Sequence, residues 1–352
     1  NSVSINPKHF SEIKKEFLKK NHNPQFQYRQ FPKELNSLKA ILEVMQFKKN
    51  TIEQIYAEKR DHLLAEIELK RAIGSAEITK KSLSLYRKPR KRLIRIAKQL
   101  LTLPISKKDE RILRKDAVAI LKKTIFELGI DWKVTSKKLV TSANVDTTNK
   151  KIEVNKGERF GKNYIQRLAI HEIGTHVLRA ENGALQPYSM FQSGLANYLE
   201  TEEGLAAYNE FTHGFMTNTS LRNYAGRVLA IHFALEHDFK DTFKLLRKYF
   251  DKNIAFKLTV RAKRGLGDTS QVGGYTKDVV YLRGFLKVLE FSKKNDLSLL
   301  YLGKIGLDHV PLLKNIKGLI NPTYLPNSIL EKDIIHPGIL QVDRATVLKL
   351  LK

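Results

Sequence analysis

Residues 164–179 read YIQRLAIHEIGTHVLR, a stretch with two histidines and a glutamate among apolar residues. Its apolar residues recur at helical spacing, which predicts an amphipathic helix that carries His171, Glu172 and His176. In the familiar zinc-binding motif, two histidines lie four residues apart on one helical face, and a glutamate between them is the catalytic base. The stretch therefore predicts a metal site if both imidazoles reach one face.

The two histidines of this chain are five residues apart. Because an α-helix turns about 100° per residue, this spacing would separate the imidazoles by about 140° around the helix axis. A single π-type turn absorbs the extra residue and restores the alignment, and Gly174 is placed to ease the distortion. The alternative is an ordinary helix with two unrelated histidines.

A catalytic zinc ion usually takes a third protein ligand. The chain contains no cysteine, so the ligands must be histidines and carboxylates. The segment YLETEEGLAAYNEF at 198–211 reads as a helix and offers four candidates: Glu200, Glu202, Glu203 and Glu210. The residues alone do not rank Glu202 against Glu203, and a solvated acidic face is the alternative.

Length and charge restrict the class of protein. With 352 residues and 42% hydrophobic content, the chain is expected to fold around a substantial core. It has no apolar run of the roughly 18 residues that a membrane span needs and no apolar signal segment, so we expect a cytoplasmic protein by default. The formal charge of +27 predicts an acidic partner. The absence of helix-turn-helix, RNP and zinc-knuckle patterns argues against nucleic acid.

The pattern along the chain predicts an α+β protein that is mostly helical. Residues 1–32 form a polar, basic and loosely attached lead-in, and 33–116 form a basic helical region whose densest cationic stretch is 80–115. Two short β-type runs, DWKVTSKKLV and KKIEVNKG, predict a small sheet between 131 and 157. Helical patterns return from Tyr164 onward.

Several motifs together resemble one family. HEIGTHVLR at 171–179 followed by TEEGLA at 201–206 is similar to the microtubule-associated tyrosine carboxypeptidases and their bacterial relatives, which are named for a QEGLA motif. The block VRAKRGLGDTSQVGGYTKDVVYL at 260–282 strengthens the resemblance. So do IYAEKR at 55–60, SLSLYRKP at 82–89 and LYLGKIGLDHVPLL at 300–313.

The resemblance implies a zinc carboxypeptidase with a zincin-like catalytic core, which removes the last residue of a protein tail. The implied ligands are His171, His176 and Glu203, and Glu172 is the implied base. Glu202 stands where the family motif has glutamine, so this chain carries a second negative charge there. The predicted domains are a catalytic domain over 117–326 and a tail over 327–352 that packs on it.

Substrate contacts follow from residue type. Tyr281 is the preferred donor to the transition-state oxyanion, with His213 as the alternative. The substrate's α-carboxylate needs a cation, for which Lys263, Arg264 and Lys277 in the Gly-rich block are the candidates. A core tyrosine and a solvated basic loop are the corresponding alternatives.

An extended substrate also needs a backbone partner. The strand predicted at 151–155 is a candidate to pair with the peptide as an edge strand. The predicted activity therefore acts on the C-terminal tail of a protein or peptide, ending in a Tyr-like or acidic residue. Two other functions stay open: a non-catalytic zinc protein with a basic face for an acidic partner, or a zinc endopeptidase or aminopeptidase. The sequence does not predict an oligomeric state.

Overall fold

The computed structural model describes residues 5–107, 109–139, 142–157, 160–330 and 342–351. Most of these residues are helical. In chain order the α-helices are α1 (Phe10–Lys20), α2 (Glu34–Val44), α3 (Thr51–Arg71), α4 (Glu77–Tyr86), α5 (Lys91–Leu100), α6 (Arg114–Glu127), α7 (Lys162–Leu168), α8 (Leu178–Ala184), α9 (Met190–Ser193), α10 (Leu199–Thr212), α11 (Asn218–Ala234), α12 (Phe239–Leu246), α13 (Lys252–Lys263), α14 (Val280–Phe291), α15 (Val310–Leu313), α16 (Asn327–Leu330) and α17 (Arg344–Leu350).

Shorter helical segments of other types complete this list. A π-helix, Ala169–Val177, continues α7 directly, and 3₁₀ segments span Lys277–Val279, Leu297–Tyr301 and Leu307–His309. Helix starts follow local chemistry, since the side chain of Asn50 accepts a hydrogen bond from the backbone of Glu53 at the start of α3.

Two small sheets confirm the predicted α+β class. The strands are β1 (Arg111–Ile112), β2 (Lys133–Lys137), β3 (Ala143–Asp146), β4 (Lys151–Asn155) and β5 (Phe160–Gly161). One sheet has the order β2-β4-β3, in which β4 runs parallel to β2 and antiparallel to β3. The prediction that 151–155 is an edge strand for a substrate is wrong, because β4 is hydrogen-bonded on both sides.

The chain divides into two compact units. The first unit comprises Asn1–Leu103 and Leu221–Leu282, and the second comprises Pro104–Ser220 and Arg283–Lys352. The predicted domain bounds at 32, 116 and 326 stay predictions, and part of the predicted tail over 327–352 lies outside the described residues. Where the chain is described, no helix combines the length and apolar character that crossing a bilayer requires.

The first unit has an aromatic core that includes the predicted lead-in. Phe17 on α1 and Phe26 are 2% and 4% exposed and pack with Phe239, Phe256 and Val260. The ring centroids of Phe17 and Phe239 lie 4.9 Å apart in an edge-to-face arrangement. This packing differs from the loose attachment that the sequence predicts for residues 1–32. Isolated phenylalanines in a polar segment give no periodic pattern, so the sequence did not reveal it.

The second unit has the core that supports the candidate site. Buried residues of α6, including Leu121 and Ile125, share one apolar cluster with Ile152 and Val154 of β4. The π-helix contributes its apolar side, including Ile173. Because β4 is a central strand, its inward residues are fully buried and give the π-helix a rigid base.

Candidate metal centre

The π-helix brings the two histidines to one side of the backbone. It spans Ala169–Val177, and the backbone N–H of Leu178 donates to Ile173 O, five residues earlier. This wider turn is the one that the five-residue spacing of the histidines predicts. The imidazole rings of His171 and His176 lie edge to face, with centroids 5.2 Å apart.

Glu203 of α10 completes a set of three possible metal ligands. One ligand atom each from His171, His176 and Glu203 lie within 4.8 Å of one another. Nε2 of His171 and Oε2 of Glu203 are 3.7 Å apart. Ligand atoms around a tetrahedral zinc ion with bonds of about 2.1 Å lie about 3.4 Å apart, so the donor set fits such an ion in type and spacing.

A buried carboxylate orients each imidazole from behind. Nδ1 of His171 donates to Glu210 Oε1 at 2.6 Å, and Nδ1 of His176 donates to Glu202 Oε1 at 2.8 Å. With the proton on Nδ1, the Nε2 atom of each ring presents its lone pair. Metal-binding histidines in proteins commonly have this arrangement.

Cations compensate the two orienting carboxylates. Glu202 pairs with Arg179 and lies 3.4 Å from Lys304 Nζ, while Arg167 donates to Glu210 at 2.7 Å. Burial acts to raise the pKa of Glu202, but the charges of Arg179 and Lys304 hold it well below its usual value. Both carboxylates therefore stay ionised and keep accepting from the histidines.

The electrostatics of the cluster favour a cation at the ring nitrogens. Burial acts to lower the pKa of His171, but Glu203, Glu210 and Glu172 raise it from 6.5 to about 10. The carboxylates thus attract positive charge to His171, and in the metal-free protein this charge is a proton, which a bound divalent ion would displace.

Glu172 lies beside the three possible ligands. Its Oε2 atom is 3.9 Å from Nε2 of His176, and its side chain is 15% exposed. Its carboxylate therefore lies on the side of the π-helix that carries the imidazole of His176. This position allows Glu172 to exchange protons with a molecule bound at the cluster.

A close backbone contact fixes the position of α10. A Cβ atom added to Gly204 would lie 2.2 Å from the backbone carbon of Gly284 on α14. Only glycine at both positions allows the two helices to approach this closely. The contact therefore sets the depth at which Glu202 and Glu203 enter the site.

The Gly-rich block lies in the first unit, where Lys263 and Arg264 are buried in contacts within the fold. Lys263 is 0% exposed, and its Nζ donates to the backbone carbonyls of Ala234, His237 and Gln271. Arg264 is 7% exposed and donates to Asp278 at 3.0 Å. These contacts are structural, and the predicted binding of substrate by either residue stays a prediction.

Tyr281, Lys277 and His213 take different positions. Tyr281 is half-buried in the first unit, stacked on Tyr224, and Arg227 lies 4.1 Å from the centre of its ring. Lys277 is half-buried in a 3₁₀ segment. His213 ends α10, with Nδ1 close to Asn209 O and Nε2 3.1 Å from Asn327 Oδ1. Their predicted roles stay predictions.

Sequence reasoning missed the groups that support the metal ligands. Arg167 and Arg179 lie on the same helical stretch as the histidines, and Lys304 lies far away in the sequence. Glu210 was one of four candidate ligands, not an orienting group. Its spacing of seven residues from Glu203, which places both on one helical face, was the available signal.

Comparison with known proteins identifies a family and several similar sequences. The model of the family described as microtubule-associated tyrosine carboxypeptidase matches residues 14–338. The chain is 36% identical over 170 residues to microtubule-associated tyrosine carboxypeptidase 1 of Mus musculus, a match that covers 47% of this chain and 36% of that protein. The Homo sapiens protein of the same name is 35% identical over 170 residues, with 47% and 36% covered. The match thus spans about a third of the relatives' own length.

Proposed function

The chain belongs to the microtubule-associated tyrosine carboxypeptidase family, and on that premise we propose that it is a zinc metallocarboxypeptidase. It removes a C-terminal residue from a protein or peptide tail. The convergence of His171, His176 and Glu203 is the observation that carries the proposal. Two imidazoles and a carboxylate, with one position left for water or substrate, are typical of catalytic zinc. The unit that holds them is accordingly proposed to be a zincin-like core.

The residues around the ligands supply the acid–base chemistry. A bound zinc ion would polarise the scissile carbonyl and lower the pKa of a water molecule. Glu172 accepts a proton from the attacking water and delivers it to the leaving amine. Its distance of 3.9 Å from His176 Nε2 supports this role. Glu202 and Glu210 hold the imidazoles in the tautomer that leaves Nε2 as ligand.

The proposed substrate is an acidic tail that ends in a Tyr-like or acidic residue. The family name supports the terminal tyrosine, and the charge of +27 supports the acidic tail. Helix α5 buries Leu93, Ile96, Ala97 and Leu100. Its opposite face exposes basic side chains: Lys91, Arg92, Arg95 and Lys98. No acidic residue occurs between Glu77 and Asp109, so this face attracts acidic polypeptides.

Peptides with matched ends test the proposal. We expect purified protein loaded with zinc to remove the last residue of a peptide ending in tyrosine, as measured by mass spectrometry, and to leave the same peptide with an amidated C-terminus intact. Equal cleavage of both peptides would identify an endopeptidase or aminopeptidase instead.

The variant Glu172→Gln is the control for chemistry. Removing a general base typically lowers the rate by about 10²–10⁴-fold, whereas zinc binding should be retained because Glu172 is not a proposed ligand. A protein that binds zinc but cleaves none of these peptides would instead support a non-catalytic role.

A further inference from the structure

A buried hydrogen-bond network lies against the turn of the π-helix between Glu172 and His176. The hydroxyl of Tyr301 donates to Gly174 O at 2.8 Å. The side-chain amide of Asn209 donates to Tyr301 Oη at 2.7 Å and to Thr175 Oγ1 at 2.8 Å. Tyr301, Asn209 and Thr175 are 2%, 3% and 0% exposed. Both N–H donors of Asn209 are therefore used within this network.

The network donates a hydrogen bond to Gly174 O, a carbonyl that loses its α-helical donor in the π-helix. In a regular α-helix the N–H of Leu178 would donate to Gly174 O, four residues earlier. Here the N–H of Leu178 donates to Ile173 O and Thr175 O instead. The Tyr301 hydroxyl provides Gly174 O with a donor. Because the Tyr301 hydroxyl binds a carbonyl that the N–H of Leu178 would use in an α turn, this bond favours the π turn over the α turn.

Tyr301 is itself held firmly on the opposite side. It ends the 3₁₀ segment Leu297–Tyr301, and Arg179 donates to three carbonyls that flank it, those of Leu300, Gly303 and Ile305. Arg179 is 0% exposed. The Tyr301 hydroxyl thus has a fixed position from which it constrains the helix.

We propose that Tyr301 and Asn209 are positioning residues that stabilise the π turn and so keep His171 and His176 on one face. A return to α-helical geometry would give Gly174 O its ordinary partner and rotate the imidazoles apart. This inference rests on the proposed function, because it concerns the two histidines as metal ligands. Neither residue contacts the ion or the substrate.

The variant Tyr301→Phe removes the hydroxyl and keeps the ring. We expect zinc affinity, measured by competition with a chelator, to fall about 10–100-fold, as is typical when groups that orient metal ligands are lost. The visible spectrum of the cobalt-substituted protein should also change. Tyr208→Phe on α10 is the matched control, since Tyr208 neighbours Asn209 in the sequence, and its zinc affinity should equal that of the wild type.

Urea unfolding of the metal-free protein separates positioning from stability. A purely structural role would lower the unfolding midpoint but leave zinc affinity and the cobalt spectrum unchanged, and that result would overturn the inference. If Tyr301→Phe does not fold, Thr175→Val removes one of the two acceptors of Asn209 and should also lower zinc affinity. Wild-type protein that binds no zinc would overturn the proposed function and this inference with it. Normal zinc binding by wild type and Tyr301→Phe alike would overturn the inference alone.

Discussion

Two of the clusters of buried charge among the described residues differ in where their polar atoms point. The histidine cluster of the second unit comprises His171, His176, Glu202, Glu203 and Glu210. The Nδ1 atoms of its two imidazoles donate to Glu210 and Glu202, and this leaves the Nε2 atoms on the side of Glu203. This cluster has an internal arrangement suited to a small cation.

The basic cluster of the first unit, which comprises Arg261, Lys263, Arg264 and Asp278, directs its charges at groups of the protein itself. All three donors of the Lys263 ammonium reach backbone carbonyls, and Asp278 pairs with both arginines. Buried charge by itself therefore does not indicate a functional site. The direction of the donor and acceptor atoms distinguishes a site for a ligand from a structural network.

The largest effect should come from the proposed ligand in the histidine cluster. Glu203→Gln removes the anionic oxygen, and we expect zinc affinity to fall by more than about 100-fold, beyond the usual effect of losing an orienting group. Equilibrium dialysis with metal analysis measures this. Glu200→Gln on the same helix is the control, because Glu200 pairs with Arg283 and Lys287 instead. Equal zinc content in both variants would remove Glu203 from the ligand set.

Asp278→Asn should strongly destabilise the basic cluster. It leaves Arg261 and Arg264 without a carboxylate, and removing one partner of a buried ion pair costs about 3–5 kcal/mol at neutral pH. Urea unfolding measures the difference. Asp61→Asn, at an exposed pair with Arg60, should cost less than about 1 kcal/mol. A loss of similar size in both variants would contradict the structural role of Asp278.

The same variant tests how the contribution of Asp278 to the unfolding free energy depends on pH. Burial acts to raise the pKa of Asp278, but Arg261 and Arg264 hold it well below its usual value in the folded protein. The unfolded protein binds this proton first, so the stabilisation is complete above pH about 4 and is lost as pH falls towards the folded pKa. The difference in unfolding free energy between wild type and Asp278→Asn should therefore shrink in acid. A difference that stays constant down to pH 2 would contradict this assignment.

Lys263→Met should have a smaller effect on stability. It leaves three buried carbonyls without their donor, which we expect to lower the unfolding free energy by about 2–3 kcal/mol. Lys257→Met, at an exposed position on the same helix, is the control. Peptidase activity below the unfolding temperature should be unchanged in both. A loss of activity without a loss of stability would instead support the substrate contact that the sequence predicts.

The smallest effect should come from exposed charge. Replacing Lys91 and Lys98 of α5 with glutamate should raise KM for an acidic peptide several-fold at low ionic strength, because attraction between exposed charges is weak and screened by salt. The difference should disappear at about 1 M salt, and KM for a neutral peptide should not change. A salt-independent change would indicate altered folding rather than lost attraction.

The sequence predicted the parts of the fold and site that depend on local patterns. The histidine spacing indicated the π turn, and the β-type runs before Tyr164 indicated the small sheet, since both follow from neighbours in the chain. The central position of β4 was not predictable in this way. It depends on the strand order, which periodicity does not specify.

Contacts between distant residues account for the rest. Tyr301 and Lys304 reach the histidine cluster from more than a hundred residues away, and no motif marks either as a partner of the π-helix. The contacts of Lys263 with three backbone carbonyls were equally unpredictable, because every residue has a carbonyl and no sequence motif marks these three. The sequence context of this lysine therefore did not indicate its contacts within the fold.

The contact of Gly204 with Gly284 has a consequence for how this protein could vary. Because the two backbones touch, a larger side chain at either position would push α10 outward and carry all four of its acidic side chains with it. The glycine in TEEGLA is thus constrained by sterics rather than by chemistry. Since Gly284 is already the smallest residue, no change at that position could make room for a side chain at Gly204, so we expect both positions to remain glycine.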